Sequence, residues 1–402
     1  MEKRTYLRIT KLLFAESRNG CGKAMKINDI CIQMLPAGSG DCIYIEFTNA
    51  NFRMLIDGGY VKTYQDFLKN FLIKLKKDGK RLNLVIVTHV DDDHINGIKA
   101  LLRENGTSEN PNIIGINEIW FNGLKQCIAN RKMEQKMDLQ TEIVLEDMAP
   151  EIIIMQDENR EENISYVSGS DLTELIQSGK YAWNFSVENG MVTNNQVVKF
   201  GDVKIMILNP KPEILTRMGE SWIKELKDKL RKVDVSQNKL YDAAFEGFYL
   251  NEEPDLDVYE ENISYTDAEA DWTKQYIENR KKEEVDPKLT NCSSIAFLIE
   301  YKGLELLFPG DCPIQYFEDK LPDEIEVIKL PHHGSAKNIS VEFIKNKKVK
   351  YYLLSTDGTK HNHPAKSVIG NIIANSALTA KLIKNYEIKW LKGVGSVDES
   401  YK

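Results

Sequence analysis

The chain has 402 residues, 42% of them hydrophobic, and a formal net charge of -8. It is rich enough in apolar residues to bury a core, and no apolar run approaches the ~20 residues of a membrane-spanning helix. The acidic balance argues against a broad basic face for nucleic acid.

Residues 1–24 begin with basic residues and hold one brief apolar patch at 12–15, shorter than the roughly 7–15 residues of a secretory signal. They are expected to be a loosely attached leader of uncertain order or the product of an upstream start codon, and a cytoplasmic location is expected. Cys21, Cys31, Cys42, Cys127, Cys292 and Cys312 form no CxxC pair and no regular framework, so free thiols are expected. The first strand is expected near Ile27. "INDICIQMLP" and "CIYIEF" flank the turn "AGSGD", and "FRMLIDGG" follows as a further strand. That turn lacks the GK[ST] of a phosphate-binding loop and reads as a hairpin turn, with Asp41 beside any cleft above it. Residues 63–78 place Tyr64, Phe67, Leu68, Phe71, Leu72 and Leu75 on one side of a helix that packs on the core. "LNLVIVT" is a fully apolar strand. After "HVDDDH" a helix is expected over Ile95–Arg103, then a strand in "IGINEIWFNG". Strand and helix alternate, an α/β pattern.

From about 129 to 285 the chain is charged and irregular, with "QDENREEN", the helical "ESWIKELKDKLRKV" and the acidic "NEEPDLDVYEEN". It is expected to be an insertion of helices and loops, either a lid or a solvated acidic surface, within one domain spanning 25–402. "SSIAFLIEY", "LELLFPGD", "IEVIKLPHH" and "VKYYLLSTDG" are strand candidates, with helices expected at 313–320, 340–347 and 364–375. The lysines at 345–350 read as a solvated helix end, with a phosphate contact as the alternative.

The six histidines are His89, His94, His332, His333, His361 and His363. They occupy three short loops, each following an apolar strand, a clustering that points to a metal site. In "HVDDDH", His89 and Asp91 can serve one ion while Asp93 and His94 serve a second. Carboxylates there are costly to bury alone, and a divalent ion removes that cost. "FPGDC" puts Asp311 at a strand end, where a carboxylate can bridge two ions; Cys312 beside it reads as a small apolar filler. "LPHHGS" brings His332 and His333, and "STDGTKHNHP" brings Asp357, His361 and His363.

On these residues the chain resembles the metallo-β-lactamase-fold hydrolases, and among them the ComEC-type branch, whose variant HxDxDH stands at 89–94 where the superfamily has HxHxDH. "GSGDCIYIEF", "LIDGG", "NCSSIAFLIEYKGLELLFPGD", "LPHHGS" and "HP" follow in that family's order over about half of the chain. The resemblance implies an αββα sandwich of two mixed sheets flanked by helices. It implies metal ligands at His89, Asp91, Asp93, His94, Asp311 and His332, with His333 either sharing the last position or facing substrate. Asp57 would brace the metal loop, and His363, Ser335 and Asn291 would contact the scissile group. The chain departs from the pattern in having no histidine between 95 and 331, so the superfamily's third histidine is missing. Water, Asn291 or substrate would complete the first site.

The expected cofactors are two divalent ions, Zn²⁺ or Mn²⁺, since exchanging an imidazole for Asp91 favours harder ions. The expected reaction is hydrolysis of a phosphodiester by hydroxide held between them, with Asp93, His333 and His363 catalytic and either of those histidines as the general acid. DNA is the leading substrate. The alternatives are a small phosphodiester such as a cyclic nucleotide, and a degenerate binding module beside protein partners from one operon, such as a defence system. A β-lactamase is disfavoured.

Overall fold

The computed structural model describes residues 23–123, 126–127, 166–217, 284–377 and 379–391. Within them, runs of β-branched and aromatic residues form two mixed sheets. The first sheet follows chain order: β1 (Lys23–Ile27), β2 (Ile30–Met34), β3 (Ile43–Phe47), β4 (Phe52–Ile56), β5 (Leu84–Ile86) and β6 (Ile119–Trp120). β1 through β4 pair antiparallel, with short turns at 28–29 and 48–51 and a longer loop, 35–42, between β2 and β3. The pairs β4–β5 and β5–β6 are parallel, so each needs a crossover. The first crossover is a helical segment that opens with Val61–Thr63, passes through a π-turn at Tyr64–Leu68 and ends in α1 (Lys69–Lys77). The second is α2 (Asp92–Asn105).

The second sheet has the order β13-β12-β11-β10-β9-β8-β7. Its strands are β7 (Val197–Phe200), β8 (Val203–Asn209), β9 (Ala296–Tyr301), β10 (Leu304–Phe308), β11 (Glu324–Lys329), β12 (Lys348–Leu354) and β13 (Lys381–Lys384). β7 to β10 pair antiparallel, and β10 to β13 parallel. α5 (Val341–Asn346) and α6 (Lys366–Asn375) cross over between the parallel strands, after the short α4 (Leu289–Cys292) and α3 (Tyr166–Ser178) earlier in the chain.

Strand alternation divides the core into layers. Ile43, Ile45 and Phe47 of β3 meet Leu306 and Phe308 of β10 between the sheets. Tyr44 points the other way, onto Leu68, Leu72, Ile98 and Leu102 of the helices. Leu307 packs outward on Phe343, Ile369 and Ile372. The result is the expected αββα sandwich. The inner strands β3, β4 and β5 are buried on both faces, which is why they read as nearly continuous apolar runs, whereas the edge strands β1 and β7 alternate buried with exposed residues.

Several expectations are corrected. β1 begins at Lys23, inside the stretch 1–24 read as a leader. The stretch 129–285, read as helices and loops, contributes β7 and β8 to the second sheet and α3 against α2. "QDENREEN", "ESWIKELKDKLRKV" and "NEEPDLDVYEEN" lie outside the described residues, as do residues 1–22. The helix expected from Ile95 starts at Asp92, within the polar motif. Residues 313–320 form two 3₁₀ turns, at Ile314–Tyr316 and Glu318–Lys320. Cys31, Cys42, Cys127, Cys292 and Cys312 are free thiols, as expected; Cys21 lies outside the described residues.

The C-terminal ends of β5, β10, β11 and β12 meet at one edge of the sandwich, the usual place for a ligand in such sheets. Ile295 N–H donates to Thr88 O (2.8 Å), and His332 N–H donates to Gly310 O (3.2 Å). α2 approaches the β4 loop backbone to backbone. Gly97 N–H donates to Gly59 O at 2.7 Å, and a Cβ on Gly97 would stand 1.9 Å from Gly58 O.

Candidate metal centre

The first loop leaves β5 as Val87, Thr88 and His89, then turns into α2. Asp91 stands at the N-cap of α2 but makes no capping bond. Its carboxylate faces His89 Nε2 at 3.4 Å and Lys288 Nζ at 3.6 Å instead. Asp93 and His94 occupy the first turn, so the helix start presents both to the same space. Asp57, buried with a left-handed backbone (φ 55°), braces the loop. Its carboxylate accepts from Thr88 N–H (2.7 Å) and Thr88 Oγ–H (2.8 Å), and lies 2.9 Å from His94 Nδ1.

Asp311, buried after β10, is the hub. Its Oδ2 lies 3.7 Å from His89 Nε2, 3.4 Å from His94 Nε2, 3.9 Å from His332 Nε2 and 3.6 Å from His333 Nε2. His333 Nε2 is also 3.5 Å from Asp93 Oδ2, while its Nδ1 donates to Ser355 O at 2.9 Å. Around this hub, Asp91 stands beside His89 and Asp93 beside His333. Nε2 of His89, His94 and His333, with Asp91 Oδ1 and Asp41 Oδ1, are buried without a hydrogen-bond partner. Leaving such groups unmet costs about 1–3 kcal/mol each. A cation would satisfy these nitrogens and oxygens together, and the donor set of imidazoles and carboxylates suits a divalent ion. His89, His94 and Asp311 form one candidate cation group, Asp93, His94 and His333 a second, and Asp41, Asp57 and His94 a third.

The charges are strongly coupled. Burial opposes the charge on Asp311, but His94, His333, Lys329 and His332 outweigh it and hold the carboxyl well below its usual range. Burial likewise opposes protonation of His94, and Asp311, Asp93 and Asp57 override it and push its pKa well up. His332 is pushed up to about 9, with Asp311 and Asp286 outweighing burial. His363 is shifted the other way, well below the usual range, by burial and by His332, His333 and His361.

The structure brings together His89, Asp91, Asp93, His94, Asp311, His332 and His333. His363 stands at their edge, its ring 4.9 Å from that of His332 and its buried Nδ1 without a partner. Asn291 faces Asp286, donating to Oδ2 at 2.8 Å, and its Nδ2 is 3.5 Å from His332 Nδ1. Ser335 Oγ accepts from Lys337 N–H within its own loop. Asp357 likewise accepts from Thr359 in its own loop, and His361 is exposed. Cys312 is buried among apolar side chains, as the filler reading expects. The solvated helix end expected at 345–350 is met only in part: α5 ends at Asn346, Lys347 is largely buried and bonds Leu321 O, and Lys348 and Lys350 lie on β12, paired with Glu324 and Glu326.

Reading the sequence missed three supporting residues. Two are Asp286, 3.3 Å from His332 Nδ1, and Asn338, whose Nδ2 donates to Asp286 at 3.0 Å. Lys329, buried at the end of β11, pairs with Asp41 and lies 3.5 Å from Asp311 Oδ1. A lysine in the apolar run "IEVIKLP" was the available signal. Asp286 sits in a charged stretch with no local signal at all.

Residues 35–112, from the end of β2 through α2, match the family model described as the metallo-beta-lactamase superfamily. No curated protein matches the chain. Among solved structures, the chain is similar to the metallo-beta-lactamase fold protein YhfI from Bacillus subtilis, at 9% identity, 91% of this chain and 93% of that one covered, and a TM-score of 0.35. It is also similar to a mutant of the CmlA beta-hydroxylase, at 10% identity, covering 90% of this chain and 53% of that one with a TM-score of 0.34. Neither likeness bears on activity.

Proposed function

We propose that this protein, whose residues 35–112 match the metallo-beta-lactamase superfamily, is a metal-dependent hydrolase that cuts phosphodiester bonds, with a DNA strand as substrate. The observation that carries the reading is Asp311 Oδ2, which has four imidazole Nε2 atoms within 3.9 Å, three of them buried and unpartnered. Charge supports two divalent ions. With neutral imidazoles, the carboxylates of Asp41, Asp57, Asp91, Asp93, Asp286 and Asp311 face only Lys288 and Lys329 among the site's described contacts. Six against two leaves four negative charges.

His89, Asp91 and His332 would hold one ion, and Asp93, His94 and His333 the other, with Asp311 shared. The oxygen content favours Mn²⁺ alongside Zn²⁺. Bound there, such ions lower the pKa of water and stabilise negative charge on the attacked phosphate. His363, held neutral, accepts the proton that water sheds and passes it to the leaving oxygen. His363 thus keeps the general-acid role expected of it, and His333, turned into the cluster, would be a ligand. Lys288 beside Asp91, and Lys360 bonded to Tyr60 Oη at 3.0 Å, offer cationic contacts to the phosphate.

The net charge of -8 favours a second reading, in which the substrate is a small cyclic nucleotide. Incubation with Mn²⁺ or Zn²⁺ and plasmid, single-stranded DNA or cyclic nucleotides separates the two. Cutting of DNA that His363→Ala slows at least tenfold is the expected result. Turnover of cyclic nucleotides alone selects the second reading, and stoichiometric metal without turnover of any phosphodiester overturns both.

A further inference from the structure

We infer that Asp286 and Asn338 position His332 as the imidazole that completes the first centre, in place of the histidine missing before Asp311; this rests on the metal-site reading above. The sequence has no histidine between His94 and His332. His332 reaches the cluster from the loop after β11, beside the end of β10, through an unusual backbone. It and His333 are consecutive left-handed residues (φ 44° and 55°), a conformation that non-glycine residues hold only where their surroundings dictate it. His332 N–H donates to Gly310 O, and its carbonyl accepts from Ser335 N–H at 2.9 Å.

The imidazole is then gripped at one nitrogen. Nδ1 lies 3.3 Å from Asp286 Oδ2 and 3.3 Å from Asn338 Oδ1, both acceptors. Asn291 Nδ2, a donor that also bonds Asp286 Oδ2, is farther off at 3.5 Å, so the two nearer acceptors set the proton on Nδ1. Nδ1 is therefore the nitrogen that keeps its proton when His332 gives one up, which leaves the Nε2 lone pair, 3.9 Å from Asp311 Oδ2, for a cation. A carboxylate behind the far nitrogen of a ligating histidine fixes its tautomer and ring plane.

Asp286 is itself immobilised. It is 1% exposed; Oδ2 accepts from Asn291 and from Asn338 Nδ2 (3.0 Å), and Oδ1 accepts from Lys288 N–H (3.0 Å). Asn338 Nδ2 donates to Asp311 O as well, at 2.8 Å, so one amide ties the positioning carboxylate to the hub. Two residues on, Lys288 Nζ meets Asp91, so a single segment touches two members of this centre.

Equilibrium dialysis against Co²⁺, with metal counting and the visible absorption of bound Co²⁺, tests this on the full chain. The unsubstituted protein is expected to take up two ions. Asp286→Ala and His332→Ala are expected to keep one at undiminished affinity, to bind the other at least tenfold more weakly, and to lose the same absorption component. Asp286→Asn, which keeps the volume, is expected to lie between; if Asp286→Ala does not fold, this variant decides. Two ions with unchanged affinity and spectrum in His332→Ala and in the folded Asp286 variants overturn this inference alone. No uptake by the unsubstituted protein overturns the metal-site reading as well.

Discussion

Asp57 Oδ2 stands 2.9 Å from His94 Nδ1, and both side chains are fully buried. The same carboxylate accepts from the backbone and hydroxyl of Thr88, the residue before His89. One aspartate thus sets the orientation of both histidines of the first loop. Asp57→Ala is expected to leave Thr88 N–H unpaired and to cost about 1–3 kcal/mol in denaturant unfolding. Metal affinity is expected to fall about 10–100-fold, the usual effect of losing such a partner. Unchanged affinity in a folded Asp57→Ala would contradict this role.

Gly97 is fixed by space. A Cβ there would meet Gly58 O at 1.9 Å, with backbone on both sides, so α2 must move away. Gly97→Ala is expected to destabilise the protein by at least ~1–3 kcal/mol. Because α2 carries Asp93 and His94, metal affinity should fall with it. Stability and affinity both equal to the unsubstituted protein would show that the approach is less tight than described.

Lys329 is a buried cation between Asp41 and Asp311. Lys329→Met leaves those carboxylates unpaired, a loss of about 3–5 kcal/mol in the metal-free protein. Bound cations supply part of the missing charge, so saturating metal should shrink the loss. Unfolding with chelator and with Mn²⁺ measures both. An equal loss in the two conditions would contradict the shared electrostatic site.

Metal uptake should release protons. In the metal-free protein His332 is pushed up to about 9 from 6.5, and His94 is also raised, so both are charged at pH 7 and must give up a proton to bind. The stability that His332 contributes is complete below 6.5 and is lost as pH rises through about 9. Titration calorimetry with Mn²⁺ at pH 7 in two buffers of different ionisation enthalpy should show net release of at least one proton. Heats independent of buffer would contradict it.

Much of the site is legible in the sequence, because strand-end loops advertise themselves: apolar "LNLVIV" ends in "HVDDDH", and "IEVIKL" ends in "PHHGS". What was not legible depends on distant pairing. Asp286 gains its meaning only from Asn291, Asn338 and His332, brought to it by folding. β7 and β8 were hidden by the charged composition of their neighbourhood, although β8 alternates buried and half-buried residues and Gly201, at φ 61°, makes the turn between them. β13 has four residues, two of them lysines whose apolar stems can lie along the sheet while the pattern reads as polar.

The central claim is that Asp311 joins two cation positions. Elemental analysis after equilibration with Mn²⁺ or Zn²⁺ tests it most directly, with Asp311→Ala beside the unsubstituted chain. The account expects two ions per chain in the unsubstituted protein and no more than one in the folded variant. Two ions retained without Asp311, or none bound with it, would contradict the account.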